Sequence, residues 1–356
     1  MVQFHPLIVT DIQKTIRDAV IVTLQPADGT TFPFKPGQYL TFRRNFEGEE
    51  LRRSYSICSS PADPAVQVGI KKVPGGAFST WANTELAVGN SIQSMPPMGN
   101  FYREDTADNP HLLAFAAGSG ITPIISILRT SLDKDLSTRA TLIYANRNPS
   151  TIMFKEELEE LKNSYMDRFN IVHILSDESQ EIDLFKGRID DEKCTALFEK
   201  WIDITTITTA YICGPEQMMQ TVAANLEQHG LPAEHIRFEL FASAQKGRLK
   251  KPIVDSSTTD HGIKGQLKID GEVRSLTIPP DTSLLDAALI NNFNVPYACK
   301  AGVCSTCKAK VVEGDVEMVA NHSLEDHEVE DGYVLTCQCF PVSSKSVIWD
   351  YDQSGH

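Results

Sequence analysis

The 356-residue sequence predicts a multidomain protein: an antiparallel β-barrel, then an α/β domain with a parallel sheet, then a small α+β module. Three observations predict it. Residues 1–106 are short β-branched runs punctuated by Pro, Gly and Asp, with no long helix among them. From 107 to 242, apolar strands alternate with helical segments. After a polar stretch, residues 262–356 hold Cys299, Cys304 and Cys307 close together, with Cys337 beyond.

Each element has its own signal. "LIVTDIQ", "AVIVTLQP", "QYLTFRR", "SYSICSS" and "VQVGIKKV" read as strands, and so many before any long helix favour a barrel. "HLLAFAAG" is an apolar strand ending in glycine, and "TPIISILRTSL" follows with helical spacing. Next come the strand "ATLIYANR", the helix "TIMFKEELEELKNSY", and the strands "FNIVHILS" and "TTAYICG". The helix "PEQMMQTVAANLEQHG" closes the set, with Pro215 in its first turn and Gly230 past its end. This alternation predicts a parallel sheet. Residues 243–261 are polar and aperiodic, a linker. "KGQLKIDGEVRSLTI" reads as a hairpin and "SLLDAALINN" as a short helix. The expected domains are therefore 1–106, 107–242 and 262–356, joined by the linker 243–261.

Composition narrows the function. With 41% apolar and 22% charged residues, each domain can build a core. A net charge of −14 argues against nucleic acid and anionic membranes as partners. The run "HLLAFAAGSGITPIISIL" is broken by glycines, a proline and polar residues, so it reads as strand, turn and helix rather than a membrane span. "MVQFHPLIVTDIQ" has no basic segment followed by an apolar one, and a cytoplasmic location is expected. There, clustered cysteines are metal ligands or redox groups more often than disulfides.

The four C-terminal cysteines form C-x4-C-x2-C with the fourth after 29 residues. Four thiolates can hold a [2Fe–2S] cluster, two per iron, and this is the plant-type ferredoxin spacing. Zinc prefers two short C-x2-4-C pairs, and the spacing of Cys337 to Cys339 suits it poorly. The cluster ranks ahead of zinc, and zinc ahead of a disulfide. The segments "CKAGVCSTCKAKVVEG" and "GYVLTCQCFP" resemble the plant-type ferredoxin module. That resemblance implies a β-grasp fold with Cys299, Cys304, Cys307 and Cys337 as ligands. Cys339 is expected to be a small core residue, and Cys58 and Cys194 receive no role.

Upstream, "LRRSYSICSSP" carries Arg53, Tyr55 and Ser56 in an R-x-Y-[ST] pattern. A flavin offers a flat ring for Tyr55, a polar edge for Ser56 and an anionic tail for Arg53. "VPGGAFSTW" places Gly75 and Gly76 before a helix expected to begin near Ser79, where backbone N–H groups can hold phosphate. "AAGSGITP" puts Gly118, Gly120, Thr122 and Pro123 at a strand-to-helix turn suited to a dinucleotide pyrophosphate. Arg147, after the next strand, reads either as a partner for the 2′-phosphate of NADPH or as a solvated loop charge, and no acidic residue there claims a free ribose hydroxyl.

With "KPGQYLTF" preceding them, these segments resemble the ferredoxin-NADP reductase superfamily. The order of its motifs implies FAD rather than FMN, NADPH or NADH as reductant, and Cys213-Gly214-Pro215 beside the nicotinamide. It also implies Ser56, Cys213 and Glu239 around the reacting atoms, with Glu239 and Phe241 of "RFELF" closing over the flavin. The whole chain resembles the reductase components of multicomponent oxygenases, most of all the phenylacetyl-CoA epoxidase reductase subunits. That implies hydride transfer from NAD(P)H to FAD, then single electrons through the cluster to a terminal oxygenase or other redox-protein acceptor. The alternatives are an acceptor of another kind (a ring-hydroxylating or demethylating oxygenase, a desaturase, a hybrid-cluster protein) or a non-catalytic redox sensor.

Overall fold

The computed structural model describes residues 3–104, 107–178, 182–241 and 262–354. The expected linker 243–261 lies outside them. The chain divides into two compact units, His5–Leu240 and a second containing the residues from Phe241 onward.

In the first unit, β1 (His5–Ile16), β2 (Ala19–Pro26), β3 (Tyr39–Phe46), β4 (Glu49–Ser56) and β5 (Val66–Lys71) precede the helix α1 (Ala77–Thr84) and β6 (Ser91–Ser94). They form one antiparallel sheet in the order β4-β3-β6-β1-β2-β5. An antiparallel bridge from Ile57 to Val68 joins its two edges and closes the barrel. Alternate residues such as Val20, Val22 and Leu24 fill the interior with Leu7, Phe42 and Ile70. The helix starts at Ala77, earlier than the expected Ser79, because Gly76 serves as its N-cap.

The rest of this unit runs β7 (His111–Ala117), α2 (Ile121–Lys134), β8 (Arg139–Asn146), α3 (Lys155–Ser164), β9 (Phe169–Leu175), α4 (Asp191–Lys200), β10 (Thr209–Cys213), α5 (Glu216–Gln228) and β11 (Ile236–Glu239). The five strands are parallel, in the order β11-β10-β7-β8-β9. Central β7 is apolar from Leu112 onward because both faces are covered. Helix α4 was not expected from the pattern. The Asp190 side chain caps it by accepting from Lys193 N–H at 2.9 Å, and Cys194, Leu197 and Phe198 bury its inner face.

Barrel and α/β layer meet closely. Ser126 Oγ donates to the Ser59 carbonyl at 2.6 Å, and Phe154 N–H to Thr15 Oγ1 at 2.6 Å. These contacts bring the end of β4 and the end of β5 to the C-terminal edge of the parallel sheet.

The second unit comprises β12 (Ile263–Ile269), β13 (Glu272–Ile278), α6 (Leu284–Ile290), β14 (Lys308–Glu313), β15 (Val316–Met318), α7 (Asp326–Glu330), β16 (Tyr333–Leu335), β17 (Cys339–Pro341) and β18 (Val347–Asp350). Asp270 and Gly271, both at positive φ, make the two-residue hairpin turn that the sequence implied. The main sheet runs β13-β12-β18-β14-β16, with β18 parallel to β12 and antiparallel to β14. Helix α6, capped by Ser283, packs over it, and Trp349 is fully buried at the centre. Cys339 is fully buried on β17.

Candidate functional site

The strand order of the parallel sheet reverses between β7 and β10, the switch point at which such sheets bind ligands. The turn Gly118–Gly120 leaves β7 there, and Cys213-Gly214-Pro215 leaves β10 beside it. Gly120 has an ordinary helical φ of −60°. It must be glycine for another reason: a Cβ on it would collide with the Cys213 carbonyl. Tyr144 OH donates to the Gly118 carbonyl at 2.8 Å and pins the turn to β8. Thr122 and Pro123 are buried at the start of α2, and Thr122 Oγ1 donates to the Ser119 carbonyl at 3.0 Å. Both therefore shape the turn from beneath. Gly214 is half-buried and Pro215 exposed, capping α5.

Three residues from distant parts of the chain converge at this edge. Ser56, at the end of β4, donates from Oγ to Glu239 Oε2 at 2.9 Å. Glu239, at the end of β11, is the register partner of Cys213. Burial pushes the Glu239 carboxyl up to about 8, against the pull of the Ser56 hydrogen bond. Burial, with the nearby Glu239 charge, also raises the Cys213 thiol well above its ordinary value, so it stays a neutral, small, polarisable group. Phe241 falls in the second unit.

Along the barrel, the Tyr55 ring is half-buried, 5.6 Å from Phe78 and 6.1 Å from Phe42 between centroids. Arg53 is exposed, with Nη1 donating to the Arg52 carbonyl at 2.7 Å. Gly75 adopts a φ of +74° and Gly76 leads into α1, whose N-terminus has neither a side-chain cap nor an acidic residue in its first turn. That end is left to an anion. Ser79 is buried, and its Oγ accepts from Val73 N–H and donates to the Gly76 carbonyl, both at 3.2 Å, which fixes the turn.

Sequence reasoning missed Lys71. It ends β5, and its Nζ lies 3.4 Å from where a Gly118 Cβ would sit. Burial and the neighbouring Arg147 charge lower its pKa. Arg147 itself is exposed. Lys71 thus faces the glycine turn with the Arg147 charge near it, and the buried Asn146 side chain is directed at the Tyr144 hydroxyl. A half-buried cation held against a glycine turn fits a dinucleotide phosphate. The sole sequence signal for Lys71 is a cation closing an apolar strand.

In the second unit the four thiols meet. Cys304 Sγ lies 3.1 Å from Cys299 Sγ, which also accepts from Ala301 N–H at 3.3 Å. Cys337 hydrogen-bonds with both Cys299 and Cys307. Cys304, Cys307 and Cys337 are buried. Among the described residues, no three His, Cys, Asp or Glu groups are arranged about one metal ion. A closed zinc site needs four donors about one point, whereas a [2Fe–2S] cluster takes two thiolates per iron, so the thiols fit the cluster better. Lys300 and Lys308 beside them are paired with Asp286 at 3.0 Å and Glu328 at 3.1 Å.

The comparisons agree with this geometry. Family models match as an oxidoreductase FAD-binding domain at residues 6–102, an oxidoreductase NAD-binding domain at 115–224 and a 2Fe-2S iron-sulfur cluster binding domain at 267–342. The chain is 39% identical over 360 residues to one of the subunits of 1,2-phenylacetyl-CoA epoxidase from Escherichia coli strain K12, covering 100% of this chain and 99% of that one. The chain belongs to the flavin and iron–sulfur reductases of oxygenase systems. The reductase is also 33% identical to the ferredoxin reductase component of 3-ketosteroid-9-alpha-monooxygenase from Rhodococcus rhodochrous, across 88% of this chain and 86% of that one. Its fold is similar to phthalate dioxygenase reductase, with a TM-score of 0.60 at 22% identity and 98% of each chain covered. It also matches an intact type IV self-sufficient cytochrome P450 monooxygenase at a TM-score of 0.71 and 22% identity, spanning 97% of the reductase and 41% of that longer chain. No helix among the described residues is long and apolar enough to cross a membrane.

Glu239 gives this reductase a pH signature. Its folded-state pKa of about 8 lies above the ordinary 4.5, so between those values the folded chain holds a proton that the unfolded chain has lost. Stability therefore falls as pH rises through that window and levels off above it. The thermal midpoint of the wild type should drop between about pH 6 and 8, and Glu239→Gln should flatten that slope. Coenzyme oxidation should show an inflection near pH 8 that the same variant removes. An unchanged profile in Glu239→Gln would assign the titration to another group.

Proposed function

We propose that the reductase carries electrons from NADPH to the oxygenase of a phenylacetyl-CoA epoxidase. One observation carries the reading: its similarity to the E. coli epoxidase protein spans the whole chain at 39% identity, against 33% over 88% of the chain for the ketosteroid reductase component. A bound FAD would supply the conversion between the coenzyme's two-electron chemistry and the cluster's one-electron chemistry. The chain's own residues bind and orient these groups. Tyr55 covers the flavin ring, Ser56 meets its polar edge, and Arg53 with the Gly75-Gly76 turn holds its phosphates. The Gly118–Gly120 turn, shaped by Thr122 and Pro123, takes the coenzyme pyrophosphate. Cys213, Gly214 and Pro215 leave room for the nicotinamide, and Glu239 and Ser56 hold a proton at its edge. Cys299, Cys304, Cys307 and Cys337 hold the cluster. The flavin domain ends at 106, the nucleotide domain at 242 and the linker at 261, in a cytoplasmic protein.

Arg147, aided by Lys71, reads the 2′-phosphate. Arg147→Ala should raise the KM for NADPH about tenfold and that for NADH less than about twofold, the loss of one guanidinium–phosphate pair. Equal losses for both coenzymes would move Arg147 to a part that the two share, and no loss for either would return it to the solvated loop. The acceptor is tested by mixing purified reductase with an epoxidase oxygenase, NADPH, O2 and phenylacetyl-CoA. Coenzyme use should track epoxide formation. A higher coupled rate with a ketosteroid oxygenase and its own substrate would overturn the assignment.

A further inference from the structure

We infer that Thr336 and Tyr351 are positioning residues for the iron–sulfur centre, forming a directed hydrogen-bond relay that ends on the Cys307 carbonyl and favours the added electron. The inference rests on the cluster assignment above. Thr336 Oγ1 lies 2.9 Å from the Cys307 carbonyl oxygen, and Tyr351 OH lies 3.0 Å from Thr336 Oγ1. Thr336 is 0% exposed and Tyr351 4%, so no water competes.

Stoichiometry fixes the direction. A carbonyl only accepts, so the single Thr336 hydroxyl proton goes to Cys307, and Tyr351 must then donate to Thr336. Behind them stands the fully buried Trp349. Its indole N–H, which makes no hydrogen bond of ordinary geometry, is directed at the Tyr351 oxygen. Both hydroxyl dipoles therefore point their positive ends at Cys307, while Thr336 is the chain neighbour of Cys337. Aligned dipoles act strongly in a low-dielectric interior and polarise one another. The surroundings are apolar: Leu335, Cys339, Val347 and Trp349 share this core. A valine and a phenylalanine would fill it equally well, and buried hydroxyls there carry a desolvation cost. Their placement against a ligand carbonyl is the use that offsets it. Reduction of the centre adds negative charge near Cys307, and the relay presents the complementary potential.

The test uses the full-length holoprotein as wild type, Thr336→Val, Thr336→Ser, Tyr351→Phe and the Thr336→Val/Tyr351→Phe double variant. Each is titrated potentiometrically, with the cluster followed by EPR and the flavin by visible absorbance. Thr336→Val and Tyr351→Phe should lower the equilibrium constant for cluster reduction about three- to tenfold, the scale of one buried hydrogen bond, shifting the potential negative. Thr336→Ser should stay within about twofold of wild type. The double variant should shift no further than Thr336→Val, because Tyr351 acts through Thr336. The flavin couple should not move. If Thr336→Val loses iron, Tyr351→Phe carries the test, since it deletes one oxygen and keeps the ring. An unshifted cluster potential in an iron-replete Tyr351→Phe, or an equal shift of the flavin couple, overturns the relay. A wild type without any iron–sulfur EPR signal after reduction overturns the cluster assignment beneath it.

Discussion

Cys337→Ser is expected to remove the iron–sulfur absorption and cut electron delivery to a protein acceptor by more than about a hundredfold, beyond what loss of an outer hydrogen bond costs a metal site. Reduction of ferricyanide through the flavin should remain within about twofold, since that chemistry belongs to residues 5–240. Cys337 is 3% exposed and its thiol contacts both Cys299 and Cys307. Serine is a harder, poorer ligand for iron, and the turn holding it, Thr336–Gln338, is packed too tightly to swing another residue in. Iron analysis and the visible spectrum check this. Full iron content with an unchanged spectrum would sink the four-cysteine assignment, and Cys339 would then be the fourth ligand to test.

The second large effect is expected at Gly120. Alanine there would press its Cβ into the Cys213 carbonyl, and neither backbone can retreat without moving the β7 or β10 edge. Overpacking of this kind costs about 1–3 kcal/mol, and coenzyme-dependent flavin reduction should fall on the order of a hundredfold as the edge shifts. Gly118→Ala provides the contrast. Gly118 has a φ of +53° but only Lys71 Nζ nearby, so the cost is backbone strain of about 1 kcal/mol with most activity retained. Stopped-flow flavin reduction and thermal melts separate the two. Comparable rates for both alanine variants would show that the turn, rather than the contact with Cys213, sets the geometry.

The comparison of these glycines shows what a sequence displays. The G-x-G pattern marked the turn, but not which glycine guards a contact, because the Cys213 carbonyl arrives from residues far along the chain. The four cysteines were readable as a set for the opposite reason: three of the four proposed ligands lie in one stretch, so spacing carries the chemistry. Ser56 and Glu239 were reached through motif order, while the hydrogen bond joining them came only with the fold. Lys71 carries no local mark, since a lysine ending a strand is ordinary until Gly118 and Arg147 are brought beside it. Helix α4 escaped because three buried residues among charged ones make a weak periodic signal, and its Asp190 cap stands in a run of three acidic residues within a polar stretch. Thr336 and Tyr351 hid in plain sight, as hydroxyls in a core that pattern alone would have read as filler.

Strand β18 has a consequence for how the molecule comes into being. It lies between β12 and β14 in the main sheet, yet it is made after every other strand described. Until Val347 and the residues after it are added, the sheet that packs against the four cysteines has no middle. The stretch between Leu240 and Asp350 takes roughly 5 to 20 s to synthesise. During that interval the flavin unit can already close around its cofactor. Synthesis thus completes the residues of the first unit well before the sheet of the second, and a chain interrupted between the two would lack the cysteine-bearing module.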